Sequence, residues 1–147
     1  MKFFQIEEPD GSPGDPDAPG VAIGIDAGGD LAEIAFAVGG NAAVLTDREG
    51  FERALPVPGP EAPLADWQAL FEGARLRAER ALARPVSHAV LVFAALDPAL
   101  AAELIRASEA AGIDLLRIVT TAELGDGATP AEAAAILAED MAPRPPI

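Results

Sequence analysis

Residues 89–96, Ala-Val-Leu-Val-Phe-Ala-Ala-Leu, form an unbroken apolar run. A strand that faces water on one side alternates apolar with polar residues, so an unbroken run predicts a central strand covered on both faces. Such a strand needs helices above and below its sheet, and the flanking sequence offers them. Asp97-Pro98 reads as a helix N-cap followed by proline at the first helical position. The helix it opens keeps Leu100, Leu104, Ala107 and Ala111 on one side and stops at Gly112, a residue suited to a C-terminal cap. Leu115–Val119 then predicts a further strand. A strand, a crossover helix and a second strand in one sheet make a parallel pair with right-handed connection.

Upstream the pattern changes. Val21–Asp26 is a short apolar run that ends in a Gly-rich turn. Ile34, Phe36 and Val38 alternate with small residues, as in a strand with two different faces. Gly39-Gly40-Asn41 supplies the positive φ of a hairpin turn, and Ala42–Thr46 returns as a third strand. Residues 64–82 carry a helical stripe of Leu64, Trp67, Phe71, Ala74, Ala78 and Ala81, with Leu70 and Leu82 beside it. Thr129-Pro130-Ala131-Glu132 is a capping box that opens the last helix. The resulting order, β-β-β-α-β-α-β-α, is that of a single α/β domain with a five-stranded mixed sheet: the ribonuclease-H-like fold, in which a three-stranded meander is extended by two parallel strands. The expected domain spans 21–142. Residues 1–20 read as a flexible Pro- and Gly-rich leader, and 143–147 as a C-terminal tail.

Charge and composition exclude several functions. The 147 residues hold 24 acidic and 10 basic side chains, for a formal net charge of −14. Nucleic-acid affinity comes from neutralising phosphates, so no nucleic-acid partner is expected. An anionic membrane surface would repel the chain as well. There is no cysteine and one histidine, which removes thiol catalysis and multi-histidine metal sites. Phe3-Phe4-Gln5-Ile6 is too short for a signal-peptide core, and no stretch is long enough to span a bilayer. The expectation is a cytoplasmic protein.

Several segments resemble the DnaK-type chaperone ATPases. Gly24-Ile25-Asp26-Ala27-Gly28 is similar to their first phosphate motif. Arg84-Pro85-Val86-Ser87-His88-Ala89-Val90 resembles the entry to their fourth strand. Ala110-Ala111-Gly112-Ile113 and Leu116-Arg117-Ile118-Val119 resemble their second crossover and fifth strand. Phe4-Gln5-Ile6-Glu7-Glu8-Pro9 resembles the opening of the HscA-type chaperones of iron–sulfur cluster assembly, and Asp47-Arg48-Glu49-Gly50 with Leu55-Pro56 fits their third-strand exit. The resemblance covers residues 3–9, 21–57 and 68–121. It implies an actin-like ATPase subdomain cut down to the core of the first lobe. A short Pro-rich bridge, about residues 57–62, stands in place of the family's inserted subdomain with its catalytic lysine. The second lobe has no counterpart either.

The resemblance implies that Asp26 would organise Mg²⁺ through water and that Gly28 would let backbone N–H groups approach a phosphate. The two threonines that follow in the family are Gly29 and Asp30 here, and a carboxylate facing a polyanion is repulsive. The Glu-Pro pair after the fifth strand is Thr121-Ala122. Phosphoryl transfer needs several positioned groups, and too few remain for hydrolysis. Asp26, Gly28 and Gly29 therefore stand as a vestigial phosphate turn. The plain alternative is a tight turn between the first two strands.

Other candidates carry less. Asp26, Glu72 or Glu79, Asp97 and Asp140 follow the order of the acidic residues in a two-metal nuclease of this fold, but Asp97 already has a role as a cap. Arg75, Arg77, Arg80 and Arg84 form a basic cluster suited to an acidic partner or to a solvated face paired with local Glu such as Glu79. Arg117 matches a family position near the surface where J-domain co-chaperones dock, or is an ordinary strand residue. His88 and Trp67 read as structural. The leading expectation is a non-catalytic interaction module linked to iron–sulfur assembly or chaperone regulation, with no cofactor and with a protein partner or a homodimer. Binding of Mg-ATP or Mg-ADP without turnover is the second, and a metal-dependent nuclease the third.

Overall fold

The computed structural model describes residues 21–45, 55–59, 61–95, 97–124 and 129–142. The leader 1–20, the tail 143–147 and the motif Asp47–Gly50 lie outside them. The strands are β1 (Val21–Asp26), β2 (Glu33–Val38), β3 (Asn41–Val44), β4 (Val86–Phe93) and β5 (Asp114–Thr120). The helices are α1 (Leu64–Leu82), α2 (Pro98–Ala110), α3 (Thr121–Leu124) and α4 (Pro130–Met141). The five strands form one mixed sheet in the order β3-β2-β1-β4-β5. β1 and β2 pair antiparallel, as do β2 and β3. β4 runs parallel to both β1 and β5.

Local chemistry explains the boundaries. Gly39 and Gly40 turn the β2–β3 hairpin with φ of 62° and 83°, a sign that costs glycine nothing. Gly112 has φ of 85° and ends α2 as the expected left-handed cap. The Asp97 carboxylate accepts the Ala99 N–H at 3.0 Å and opens α2. At α4 both halves of the capping box form: Glu132 N–H donates to Thr129 Oγ1, and the Glu132 carboxylate accepts the Thr129 N–H.

Three strands differ in their limits from the sequence expectation, and β3 runs over Asn41–Val44 in place of Ala42–Thr46. β4 starts at Val86, not Ala89, and stops at Phe93, not Leu96. The early start is possible because a bulge at Ser87 keeps β4 in register with β1: Val21 faces Val86 and Ala22 faces His88. β5 gains one residue at each end, from Asp114 to Thr120.

The larger core lies under α1 and α2, where Trp67, Leu70, Phe71 and Leu104 pack on Ile23, Ile25, Leu91 and Phe93. The other face is covered by α4, whose fully buried residues are all alanine, Ala131, Ala134, Ala135 and Ala138, with Ile136 and Leu137 half-buried beside them. Such a face lets the helix axis come close to the sheet. Glu139 ties the far end of α4 to the hairpin, its carboxylate oxygens accepting the N–H groups of Gly39 at 2.7 Å and Gly40 at 2.9 Å. Among the described residues no helix is long and apolar enough to cross a membrane.

Candidate functional site

Ligands of open α/β sheets sit outside the carboxyl ends of the parallel strands. Here that end gathers Asp26 and the turn after β1, Ala94 after β4, and Thr121 after β5. The Ala27 N–H donates to Val92 O at 2.8 Å and carries the β1–β4 ladder into the turn. Asp26 Oδ1 accepts the Gly28 N–H at 2.9 Å. Gly28 is closely surrounded: a Cβ there would lie 3.1 Å from Asp26 Oδ1 and 3.4 Å from Thr121 Oγ1. Thr121 Oγ1 in turn donates to Phe93 O at 3.3 Å. Gly29 faces open space. The structure thus brings Asp26 and Gly28 together with Thr121, and leaves Gly29 exposed beside them.

The next residues are held from a different direction. Asp30 O accepts the Val57 N–H at 2.9 Å, and the Ala32 N–H donates to Leu55 O at 2.8 Å. Leu31 and Pro56 form the bridge between them. Residues 55–57, which lead into the Pro-rich bridge of about 57–62, are therefore a short strap pinned beside the turn.

The electrostatics of this half of the molecule are one-sided. From Val21 to Ala74 the described residues include Asp26, Asp30, Glu33, Glu61, Asp66 and Glu72, and no Lys, Arg or His. Arg48 and Arg53 lie outside the described residues. A phosphate approaching the turn would meet Asp26 and Asp30 with no described cation on β1, β2 or β3 to offset them.

Sequence reasoning missed α3 and Glu123. Glu123 Oε1 accepts both the backbone N–H and the hydroxyl of Thr120, at 3.0 and 3.1 Å, and Arg117 reaches its other oxygen at 3.3 Å. These bonds to Thr120, and then the Arg117 charge, hold the Glu123 carboxyl below its ordinary pKa. The signal was present as Thr120-Thr121-Ala122-Glu123, the spacing of a capping box. Arg117 is spoken for by this contact.

The nuclease set does not assemble. Glu79 accepts the Val86 N–H at 2.9 Å and pairs with Arg75 at 3.1 Å, at the start of β4. Asp140 follows Glu139, which binds the hairpin. Both therefore lie at the opposite end of the sheet from Asp26, whose partner on β2 is Glu33. Among the described residues no group of three or more potential ligands could hold a metal ion. In the basic cluster, Arg75 is committed to Glu79 and to Ala111 O, the latter at 2.9 Å. His88 bridges β4 and β5: its Nδ1 lies 2.7 Å from Ser87 Oγ and its Nε2 lies 3.8 Å from Asp114 Oδ2. Trp67 is a core residue, 1 % exposed.

Fold and site together define an α/β domain on a five-stranded mixed sheet, with a closed Gly-rich turn at the carboxyl end of its central strand. Scanned against protein-family models and against curated proteins, the chain matches none.

Proposed function

We propose that the chain is a non-catalytic protein-interaction module with a ribonuclease-H-like fold. We read it as resembling the core of the first lobe of a DnaK-type chaperone ATPase of the HscA kind, working beside iron–sulfur cluster assembly. The strand order β3-β2-β1-β4-β5, with a meander followed by two parallel strands, supports the fold assignment. The observation that carries the functional reading is the bond from the Gly28 N–H to Asp26. A phosphate turn works by offering backbone N–H groups to an anion. Here the turn's own carboxylate takes that donor and adds negative charge where the anion would sit.

The test is thermal unfolding with Mg-ATP and Mg-ADP. A ligand at 100 times its dissociation constant stabilises by about 2.7 kcal/mol. In a domain of this size that raises the midpoint by roughly 5–10 °C. The expected result is no shift at millimolar nucleotide. A shift of that size would replace this reading with nucleotide binding without turnover.

The module is expected to act through a protein partner or a second copy of itself. Leu31 and Val38 are 55 % and 68 % exposed, single apolar side chains just before β2 and at its end that a partner could cover. Sedimentation at micromolar concentration decides the homodimer: a dimer is expected, and a clean monomer leaves only the heterologous partner. If that partner includes no chaperone or assembly component, the iron–sulfur link fails.

A further inference from the structure

The strap after β3 and the first half of α1 enclose a cleft of about 360 Å³. Its walls are Leu55, Pro56, Val57 and Pro58 on one side, and Asp66, Ala69 and Leu70 on the other. The strap is fixed at its back by the bonds to Asp30 and Ala32. It is wedged at its foot by Leu55, whose Cδ1 lies 2.7 Å from where a Cβ on Gly73 would be. Ala69 and Asp66 open to solvent at its mouth. The cleft is thus a preformed apolar slot with rigid walls, since two of its lining residues are prolines with fixed φ.

Among the described residues, the charged side chain that lines it is acidic. Asp66 lines the slot, and its carboxylate makes no hydrogen bond or ion pair with the described residues. The backbone carbonyl of Asp30 holds Val57 from behind the strap, and Glu61 precedes α1. No described cation occurs before Arg75 to balance them. A carboxylate at the mouth of an apolar cleft attracts cations and disfavours anionic partners.

We infer that this slot is the docking site for a protein segment that alternates aliphatic with basic residues. An aliphatic side chain fills the space between Val57 and Leu70, and a neighbouring Lys or Arg meets Asp66. The inference rests on the interaction-module reading and names the surface that reading lacks.

Fluorescence anisotropy with a labelled peptide of alternating Leu and Lys tests it. The wild-type protein is expected to bind this peptide, and to bind neither a Leu/Glu peptide nor a Ser/Lys peptide. Ala69→Arg places a long cation across the slot on an exposed helical position that arginine suits. It is expected to weaken binding by about tenfold or more, and Asp66→Asn by less, through loss of one charge contact. Unchanged thermal midpoints check that both variants fold. Equal binding of the Leu/Glu or Ser/Lys peptide, or full binding by Ala69→Arg, overturns the proposal.

A photo-cross-linker at position 69 or at Ile105 of α2, used in cell extract, separates the two levels of the argument. Adducts from 105 alone overturn the slot and leave the module reading in place. Adducts from neither position overturn the slot, and the module reading is then decided by the same cross-linker at Leu31 and Val38.

Discussion

Gly24→Ala is expected to unseat α4 and to lower the thermal midpoint more than any other single-methyl change in the sheet. A Cβ at Gly24 would lie 2.5 Å from the Ala131 carbonyl oxygen, closer still to the Ala135 nitrogen, and 2.9 Å from the Ala134 carbonyl carbon. These are helix backbone atoms, so no side-chain rotation relieves the clash. The helix must lift as a body, and its buried face of Ala131, Ala134, Ala135 and Ala138 then loses contact all along its length. Overpacking costs about 1–3 kcal/mol, occasionally more. Three backbone clashes place this case at the top of that range. About 3 kcal/mol corresponds to a fall of roughly 10 °C. Gly29→Ala is the internal control, because nothing lies within 4 Å of its Cβ position. It is expected to be neutral, or to stabilise by up to about 1 kcal/mol through the unfolded state. Equal midpoints for the two variants would mean that α4 does not rest on Gly24.

Gly24 also shows where sequence reading ends. From the sequence it belonged to a phosphate motif with Asp26 and Gly28, because a glycine near a strand end has several possible causes. Only the path of α4 reveals that it is a packing glycine, and that path depends on contacts far along the chain. Elements governed by local rules were legible. The stripe over residues 64–82 coincides with α1, the capping box opens α4, and Gly112 ends α2. β4 was misjudged at both ends for a physical reason. Ser87 and His88 break the apolar run at its start, yet Ser87 is taken up as the bulge, so that His88 pairs with Ala22 of β1 and lies beside Asp114 of β5. At the other end the apolar run outlasts the ladder. The site was half legible. Asp26 and Gly28 are in contact, but the strap that pins Asp30 leaves no periodic trace, and the four-residue helix that Glu123 caps is too short to show a helical period.

Trp67→Ala is expected to be among the most damaging core substitutions, and Trp67→Phe close to neutral. Trp67 is 1 % exposed, and its ring stands edge-on to Phe93 at 5.7 Å and 88°. It joins the start of α1 to the end of β4 beside the candidate site. Truncation to alanine removes that contact and leaves a cavity, at a cost of about 3–5 kcal/mol. Phenylalanine keeps a ring on Phe93 but gives up part of the indole volume. The indole carries an opposing cost, since its Nε1–H is buried and no described residue accepts it. An unpaired buried donor costs about 1–3 kcal/mol. Phenylalanine removes that donor, so the lost packing and the relieved desolvation act in opposite directions. The two variants should therefore separate widely in urea unfolding followed by circular dichroism, since tryptophan fluorescence is lost in both. If Trp67→Phe costs as much as Trp67→Ala, the indole N–H is not an orphan but holds a buried water whose bonds the protein needs.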